Sequence, residues 1–116
     1  MKLTLRLFLL LSLAVTAQAE DLNSKTLAGE WMFTHIILEG QVERPVNRRM
    51  RFLTDGQVIN YDAGGQERNP ARYKIERAKI IYTDESGVQT WQVLEFDGAT
   101  LRVDHMGAEM FFQRIE

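Results

Sequence analysis

The chain has 116 residues, no cysteine and a formal net charge of −2. This length fits a single domain, and the lack of cysteine excludes disulfides, thiol catalysis and cysteine-based zinc sites. The slight excess of acidic residues argues against general nucleic-acid binding, which needs a net basic face.

The amino terminus has the three parts of a secretory signal peptide. Lys2 and Arg6 supply a basic start, Leu7–Val15 is a short apolar stretch, and Ala17-Gln18-Ala19 is a small-x-small cleavage signal. The apolar stretch is shorter than the roughly 20 residues that a membrane-spanning helix needs. We therefore predict a signal peptide over residues 1–19, cleaved near Ala19. The mature protein is then periplasmic or secreted, with no stable membrane anchor and a net charge of −4, from 12 basic and 16 acidic residues.

From residue 20 onward the sequence predicts one all-β domain, residues 20–116. After a polar lead-in, Glu20–Ala28, apolar and polar residues alternate, and Asp-Gly, Gly-Gly and Ser-Gly turn signals recur at short intervals. The predicted strands are Glu30–Leu38, Val46–Leu53, Gln57–Tyr61, Arg68–Ile75, Lys79–Thr83, Val88–Phe96, Thr100–His105 and Ala108–Ile115. Tight turns between consecutive strands give an antiparallel up-and-down arrangement. About eight such strands close into a small β-barrel, which removes exposed edges; a strongly curled open sheet is the alternative.

The first predicted strand opens with a recognisable feature, Gly29-x-Trp31. The other parts of the pattern are Phe52-x-x-Asp55-Gly56, Tyr73-x-Ile75, Trp91-x-Val93 and Phe112-x-Arg114. Over nearly the whole mature chain, this layout resembles the small bacterial lipocalin-like (calycin) domain proteins. The resemblance implies that Gly29 and Trp31 close the barrel floor, and that Arg114 stacks across the Trp31 ring in a cation–π contact. It also implies a barrel interior or mouth that binds a small apolar or amphipathic molecule.

Candidate ligand-lining residues are the large side chains that the alternation places on inward faces. They are Trp31, Phe33, His35, Met50, Phe52, Tyr73, Tyr82, Phe96, His105 and Phe112. Within this set, Trp31, Phe33 and His35 are predicted to share one face of the first strand. An eight-stranded barrel is just wide enough for side chains to fill or to hold one small ligand. Ordinary core packing and ligand lining therefore both remain open for these residues.

Residue types that support catalysis or metal binding do not form a known pattern. His35 and His105 are the only histidines, and no His-x-His or His-Glu-x-x-His spacing is present, so we predict no metal site and no cofactor. Neither serine of the mature chain, Ser24 or Ser86, lies in a Gly-x-Ser-x-Gly sequence. We therefore predict that the protein is not an enzyme.

Four arginines are concentrated around the second predicted strand. They are Arg44, Arg48, Arg49 and Arg51, of which Arg49 and Arg51 share a face. One interpretation is a clamp for an anionic group, such as a carboxylate or a lipid headgroup. The other is a solvated face that pairs with acidic residues from elsewhere.

Three functions fit these features. The first is an exported binding module for a small apolar or amphipathic ligand. The second is a protein-interaction module, such as a periplasmic inhibitor or an envelope-assembly factor, which would use the amino-terminal segment Glu20–Lys25. The third is an enzyme with a shallow site on the basic face. The sequence names neither the ligand nor a periplasmic protein partner.

Overall fold

The computed structural model describes residues 21–115, and the predicted signal peptide over residues 1–19 lies outside them. The described chain begins with one short helix, α1 (Ser24–Leu27). Eight strands follow: β1 (Gly29–Leu38), β2 (Val42–Phe52), β3 (Gln57–Tyr61), β4 (Glu67–Glu76), β5 (Lys79–Asp84), β6 (Gly87–Phe96), β7 (Thr100–His105) and β8 (Ala108–Arg114). Within residues 21–115, no helix has the length and apolar character needed to cross a membrane.

The eight strands close into an antiparallel barrel in which each strand pairs with its neighbours in sequence and β8 pairs with β1. The predicted all-β up-and-down barrel is thereby confirmed, and the curled open sheet is not the arrangement formed. β2 begins at Val42 rather than at the predicted Val46, because the polar residues before Val46 still pair with β1, as far as Val42 opposite Leu38. Pairing to a neighbouring strand, rather than apolar alternation, defines this end of β2.

The lead-in forms helix α1, which the sequence analysis did not predict. The Asn23 side chain accepts hydrogen bonds from the backbone N–H groups of Lys25 and Thr26, at 2.9 and 3.0 Å. In return the Asn23 backbone N–H donates to Thr26 Oγ1 at 2.9 Å. This reciprocal cap satisfies donors that a helix start leaves free. The helix is only four residues long. Its last residue, Leu27, lies in the core and has no exposed surface.

One end of the barrel is closed by α1 together with the start of β1 and the end of β8. Trp31 is fully buried, and its Nε1–H donates to the Leu27 carbonyl oxygen at 2.8 Å. The Arg114 guanidinium carbon lies 4.3 Å from the centroid of the Trp31 ring. The same guanidinium donates to the carbonyl oxygens of Thr26, Ala28 and Gly98, and burial lowers the pKa of Arg114. This is the contact that the family resemblance implies.

Apolar side chains fill the barrel above this closed end. The buried core residues of the strands are Trp31, Met50, Phe52, Val58, Ala71, Tyr73, Ile80, Tyr82, Trp91, Phe96, Leu101, Val103, Met110 and Phe112. They come from all eight strands, and among the described residues no charged side chain is buried with them. The core therefore packs most densely toward α1, and the opposite end is where a ligand site can form.

Candidate functional site

A cavity of about 680 Å³ lies in the half of the barrel opposite α1. It reaches the ends of three strands, since Asp62, Asp84 and His105 all border it where β3, β5 and β7 finish or have just finished. Its apolar lining consists mainly of Phe33, Val46, Met50, Tyr82, Trp91 and Met110. The barrel is thus packed at one end and hollow toward the other.

The stacked rings of Tyr82 and Trp91 form one wall of the cavity, and Phe112 supports this wall from behind. Tyr82 lies flat on Trp91, with ring centroids 4.7 Å apart and an interplanar angle of 15°. Trp91 in turn stacks on Phe112 at 5.6 Å, and Phe112 contacts Phe33 at 4.7 Å. The Trp91 Nε1–H donates to Gln89 Oε1 at 2.9 Å, which fixes the indole in place. Such a wall offers a broad apolar face to a ring or a hydrocarbon chain.

The Tyr82 hydroxyl is a polar group on this wall, and the Tyr82 side chain is buried. It accepts a hydrogen bond from Asn60 Nδ2 at 2.9 Å, and the same amide donates to the Asn69 carbonyl oxygen at 2.9 Å. Burial raises the pKa of Tyr82, and the nearby Asp84 carboxylate adds to that increase, although the hydrogen bond from Asn60 opposes it. The hydroxyl is therefore protonated at neutral pH, and its O–H can donate into the cavity.

The cavity opens sideways between β2 and the β3–β4 hairpin. β2 pairs with β3 only from Met50 to Phe52, whereas β2 itself extends back to Val42. At the corner where this ladder ends, the Arg49 guanidinium lies 4.2 Å from the centroid of the Tyr61 ring. Beyond that corner both sides of the gap include exposed lining residues, such as Arg48 on β2 and Arg68 on β4. A ligand can reach the aromatic wall through this opening.

The ten candidate lining residues fall into three groups in the structure. Four of them line the cavity: Phe33, Met50, Tyr82 and His105. Five are buried core residues that do not border it: Trp31, Phe52, Tyr73, Phe96 and Phe112. Their inward direction follows the alternation, but they lie nearer the closed end, where ordinary packing is the role that their burial supports. His35, the tenth residue, is outside the barrel.

The predicted inward position of His35 is wrong because β1 contains a bulge at Thr34. Phe33 lies opposite Phe112 on β8, but His35 lies opposite Phe111, so Thr34 is an extra residue relative to β8. A bulge of this kind reverses the faces of the residues that follow it. The His35 ring therefore stacks on outward-facing Phe111, with centroids 4.3 Å apart, and its Nδ1 lies 2.8 Å from Thr34 Oγ1. Ile36, opposite Met110, takes the inward place.

Replacing His35 with alanine is expected to leave ligand binding unchanged while costing about 0.5–1.5 kcal/mol of folding free energy. The loss of stability corresponds to the loss of one stacked aromatic pair. Binding is unchanged because the His35 ring does not touch the cavity. Urea unfolding and a binding titration on the same protein sample measure the two quantities. A binding constant that shifts more than about threefold, well beyond the scatter of such titrations, would contradict the outward placement.

Two residues of the arginine cluster pair with an acidic residue on the outside of the barrel, and a third borders the cavity. Arg51 and Arg49 both pair with Glu30 on β1, the second at 3.9 Å. For these two the acid-paired interpretation describes the structure. Arg48 lies opposite Phe33 in the β1–β2 register and borders the cavity. The sequence analysis included Arg48 in the cluster but did not separate it from its neighbours.

Three inward residues of β6 and β8 that line the cavity were missed as lining residues, and for one of them, Met110, the sequence contains a signal. Trp91 and Gln89 are two positions apart on β6, and both residues lie on its inward face and line the cavity. Met110 likewise precedes Phe112 by two positions on β8. The alternation that selected Phe112 extends to Met110, whereas the bulge at Leu94 puts Trp91 and Gln89 out of step with Phe96, the β6 residue that the alternation selected. Within residues 21–115 no three His, Asp or Glu side chains are grouped closely enough to hold a metal ion.

Comparison with known proteins identifies the fold. No family model and no curated protein sequence matches the chain. A solved structure of a lipocalin-like protein from Bacteroides uniformis is similar, with a TM-score of 0.66 and 17% identity over 78% of this chain and 99% of that one. An uncharacterized protein from Bacteroides eggerthii gives a TM-score of 0.67 at 15% identity, over 76% of this chain and 98% of that one.

The chain therefore has a lipocalin-like fold: a closed, antiparallel barrel of eight strands with one short helix at its closed end. This agrees with the resemblance to small bacterial lipocalin-like domains that the sequence indicated. Likeness at these identities establishes the fold, and function has to be argued from the site itself.

Proposed function

We propose that this protein is an exported binding module that holds one small amphipathic molecule in the open half of its barrel. The observation that carries the proposal is the cavity of about 680 Å³ with the stacked Tyr82 and Trp91 rings on its wall. Small-molecule sites typically have volumes of about 300–1,000 Å³, an apolar lining and a few placed polar groups. The volume of this cavity lies in that range, and its apolar wall is accompanied by numerous polar groups, including Arg48 and Arg68 at the opening.

Binding is a better account of the cavity than catalysis. Acid–base chemistry needs titratable groups that converge on one point with their reactive atoms free. At this mouth the Asp62 carboxylate is occupied by the turn that follows β3, where it accepts from two backbone N–H groups. Asp84 accepts from the Ser86 N–H in the next hairpin. These carboxylates stabilise turns, which supports a non-enzymatic role.

The contacts of the amino-terminal segment support a role in closing the barrel rather than insertion into a partner. In its described part, residues 21–25, Leu22 packs against the hydrophobic core. The Asp21 carbonyl oxygen accepts from Thr26 Oγ1 at 2.6 Å, which ties the segment back to α1. A segment used in this way adds to the stability of the barrel.

Fluorescence titration of the mature protein with the neutral probe N-phenyl-1-naphthylamine tests the proposal. We expect one probe to bind per chain, with enhanced probe emission and quenching of Trp91, whose indole forms the wall. Trp91→Phe should remove the quenching and retain an aromatic wall, whereas Trp31→Phe should retain the quenching, since Trp31 lies in the closed end.

Native mass spectrometry of protein purified from its own compartment, followed by organic extraction, supplies the natural ligand. Failure of the folded protein to bind the neutral probe, together with a mass that shows no co-purifying molecule, would overturn the proposal. Binding of several probes per chain with no effect on Trp91 would also overturn it, because such binding is superficial.

A further inference from the structure

Several hydrogen-bond acceptors at the cavity mouth are occupied by the protein itself. The Asp62 carboxylate accepts from two backbone N–H groups of its own turn and from Arg68 Nε at 3.0 Å. These bonds lower the pKa of Asp62, with the backbone bonds foremost. The Gln89 side-chain oxygen accepts from Trp91 Nε1, and one Asp84 oxygen accepts from a backbone N–H. The acceptors that remain include one oxygen of Asp84 and neutral side-chain oxygens such as that of Asn60, whose recorded bonds use its amide nitrogen.

Donors at the same mouth are largely unused. Among residues 21–115 the Arg48 side chain has no ion-pair or hydrogen-bond partner. Arg68 uses only its Nε, which leaves the two terminal nitrogens of its guanidinium. The Tyr82 hydroxyl accepts from Asn60 and keeps its own O–H, and the Gln89 amide nitrogen is likewise uncommitted. Among the described lining residues, the mouth thus offers a bound molecule one unpaired guanidinium, that of Arg48, together with several neutral donors.

The charges at the mouth are separated in a way that favours one side for a negative group. Arg68 neutralises Asp62 through their ion pair. The charged lining residues that remain are Arg48 on β2 and Asp84 at the end of β5. These strands are three positions apart in the barrel order. A negative group is stabilised beside Arg48 and lies away from the repelling carboxylate of Asp84.

We propose that the ligand is an anionic amphipathic molecule whose carboxylate or similar oxyanion is bound by Arg48 at the lateral opening, while its apolar body lies on Trp91 and Tyr82. This inference rests on the proposed function and adds the chemical class of the ligand. A planar guanidinium can give two parallel hydrogen bonds to a carboxylate. Arg48 is suited to this role because the residue opposite it in register, Phe33, lines the cavity too.

Three probes that share one ring system and differ in head group provide the test. They are naphthalene-2-carboxylate, naphthalene-2-carboxamide and 2-naphthylmethylammonium, each titrated calorimetrically into the mature protein at low ionic strength. We expect the carboxylate to bind roughly tenfold more tightly than the amide, because it forms a charge-assisted hydrogen-bonded pair with Arg48. The ammonium is expected to bind most weakly. The preference should decrease at about 1 M salt, because Arg48 is exposed to screening.

Arg48→Gln should abolish the preference for the carboxylate while leaving amide binding within about twofold of the unmodified protein. Arg72→Gln is the matched control, since Arg72 is exposed on β4, one position from inward-facing Tyr73. It removes the same charge without touching the cavity, and it should keep the preference. Circular dichroism spectra establish that both variants are folded.

The outcomes separate this inference from the proposed function. Equal binding of the carboxylate and the amide, or a preference that survives Arg48→Gln, would overturn the anionic class while the neutral naphthylamine probe still binds. A preference lost equally in Arg72→Gln would also overturn it, because the effect would then come from overall charge. If neither the three probes nor the neutral probe binds, the proposed function itself fails.

Discussion

Replacing Trp31 with alanine is expected to lower the free energy of unfolding by about 3–5 kcal/mol, the range for truncating a large aromatic residue in a packed core. Trp31 is fully buried and joins three parts of the closed end. Its Nε1–H bonds the Leu27 carbonyl oxygen, its ring supports the Arg114 guanidinium, and its other neighbours include Phe96 at 6.2 Å. Urea unfolding monitored by far-ultraviolet circular dichroism measures the loss.

A second variant keeps this prediction testable if Trp31→Ala does not fold. A domain of this size has about 5–15 kcal/mol of stability in total, and no disulfide supplements it. Trp31→Phe retains a ring and loses the hydrogen bond, so it leaves the Leu27 carbonyl unsatisfied at a cost of about 1–3 kcal/mol. Leu94→Ala is the control, because Leu94 is a partly exposed outer residue and should change stability by less than about 0.5 kcal/mol. A Trp31→Ala protein as stable as this control would contradict the role of Trp31 in closure.

Much of the fold, including which end of the barrel is closed, was predictable from the sequence. Strands β5 and β7 alternate inward and outward residues, and β6 does so as far as Val93, where a bulge at Leu94 interrupts the alternation. The turns between these strands contain Gly87 or the Asp97-Gly98 pair. Alternation and turn chemistry are local properties, so each hairpin can be recognised separately. Closure into a barrel follows from the number of strands and their order. The Gly29-x-Trp31 feature then indicates which end is sealed.

The parts that could not be predicted depend on contacts between strands that are distant in sequence. Whether Thr34 forms a bulge is decided by the register of β1 against β8, about 77 residues away along the chain. The alternation within β1 does not indicate that register, so His35 was assigned to the wrong face. The early start of β2 is similar, because pairing with β1 continues through Pro45 opposite His35.

The cavity could not be predicted from the sequence for a related reason. Inward direction can be read from alternation, but depth along the barrel cannot. Phe52 and Met50 both point inward, yet only Met50 borders the cavity, because it lies one inward position farther from the closed end. The separation of Arg48 from Arg49 and Arg51 likewise needs the position of Glu30 and of the short β2–β3 ladder. A hollow half-barrel is a property of the assembled strands.

Filling the cavity tests whether this hollow half is the binding site. Val46 is half-buried on β2 and lines the cavity, so Val46→Trp places an indole where the ligand's apolar body is expected to lie. We expect it to weaken binding of the neutral naphthylamine probe by more than about tenfold, or more than about 1.4 kcal/mol. Folding should change little, because the added ring enters empty space rather than a packed core, where the same change would cost about 1–3 kcal/mol.

Val88→Trp is the matched control, with the same change at a residue that is 68% exposed and pairs with outward-facing Thr83. It introduces an equal apolar surface near the same end of the barrel, on the outside, so probe binding should be retained. Equal loss in both variants would indicate a general effect of an added indole. Full binding to Val46→Trp would show that the probe binds elsewhere, and the cavity would then not be the ligand site. Loss in Val46→Trp alone ties binding to the space that the stacked Tyr82 and Trp91 rings enclose.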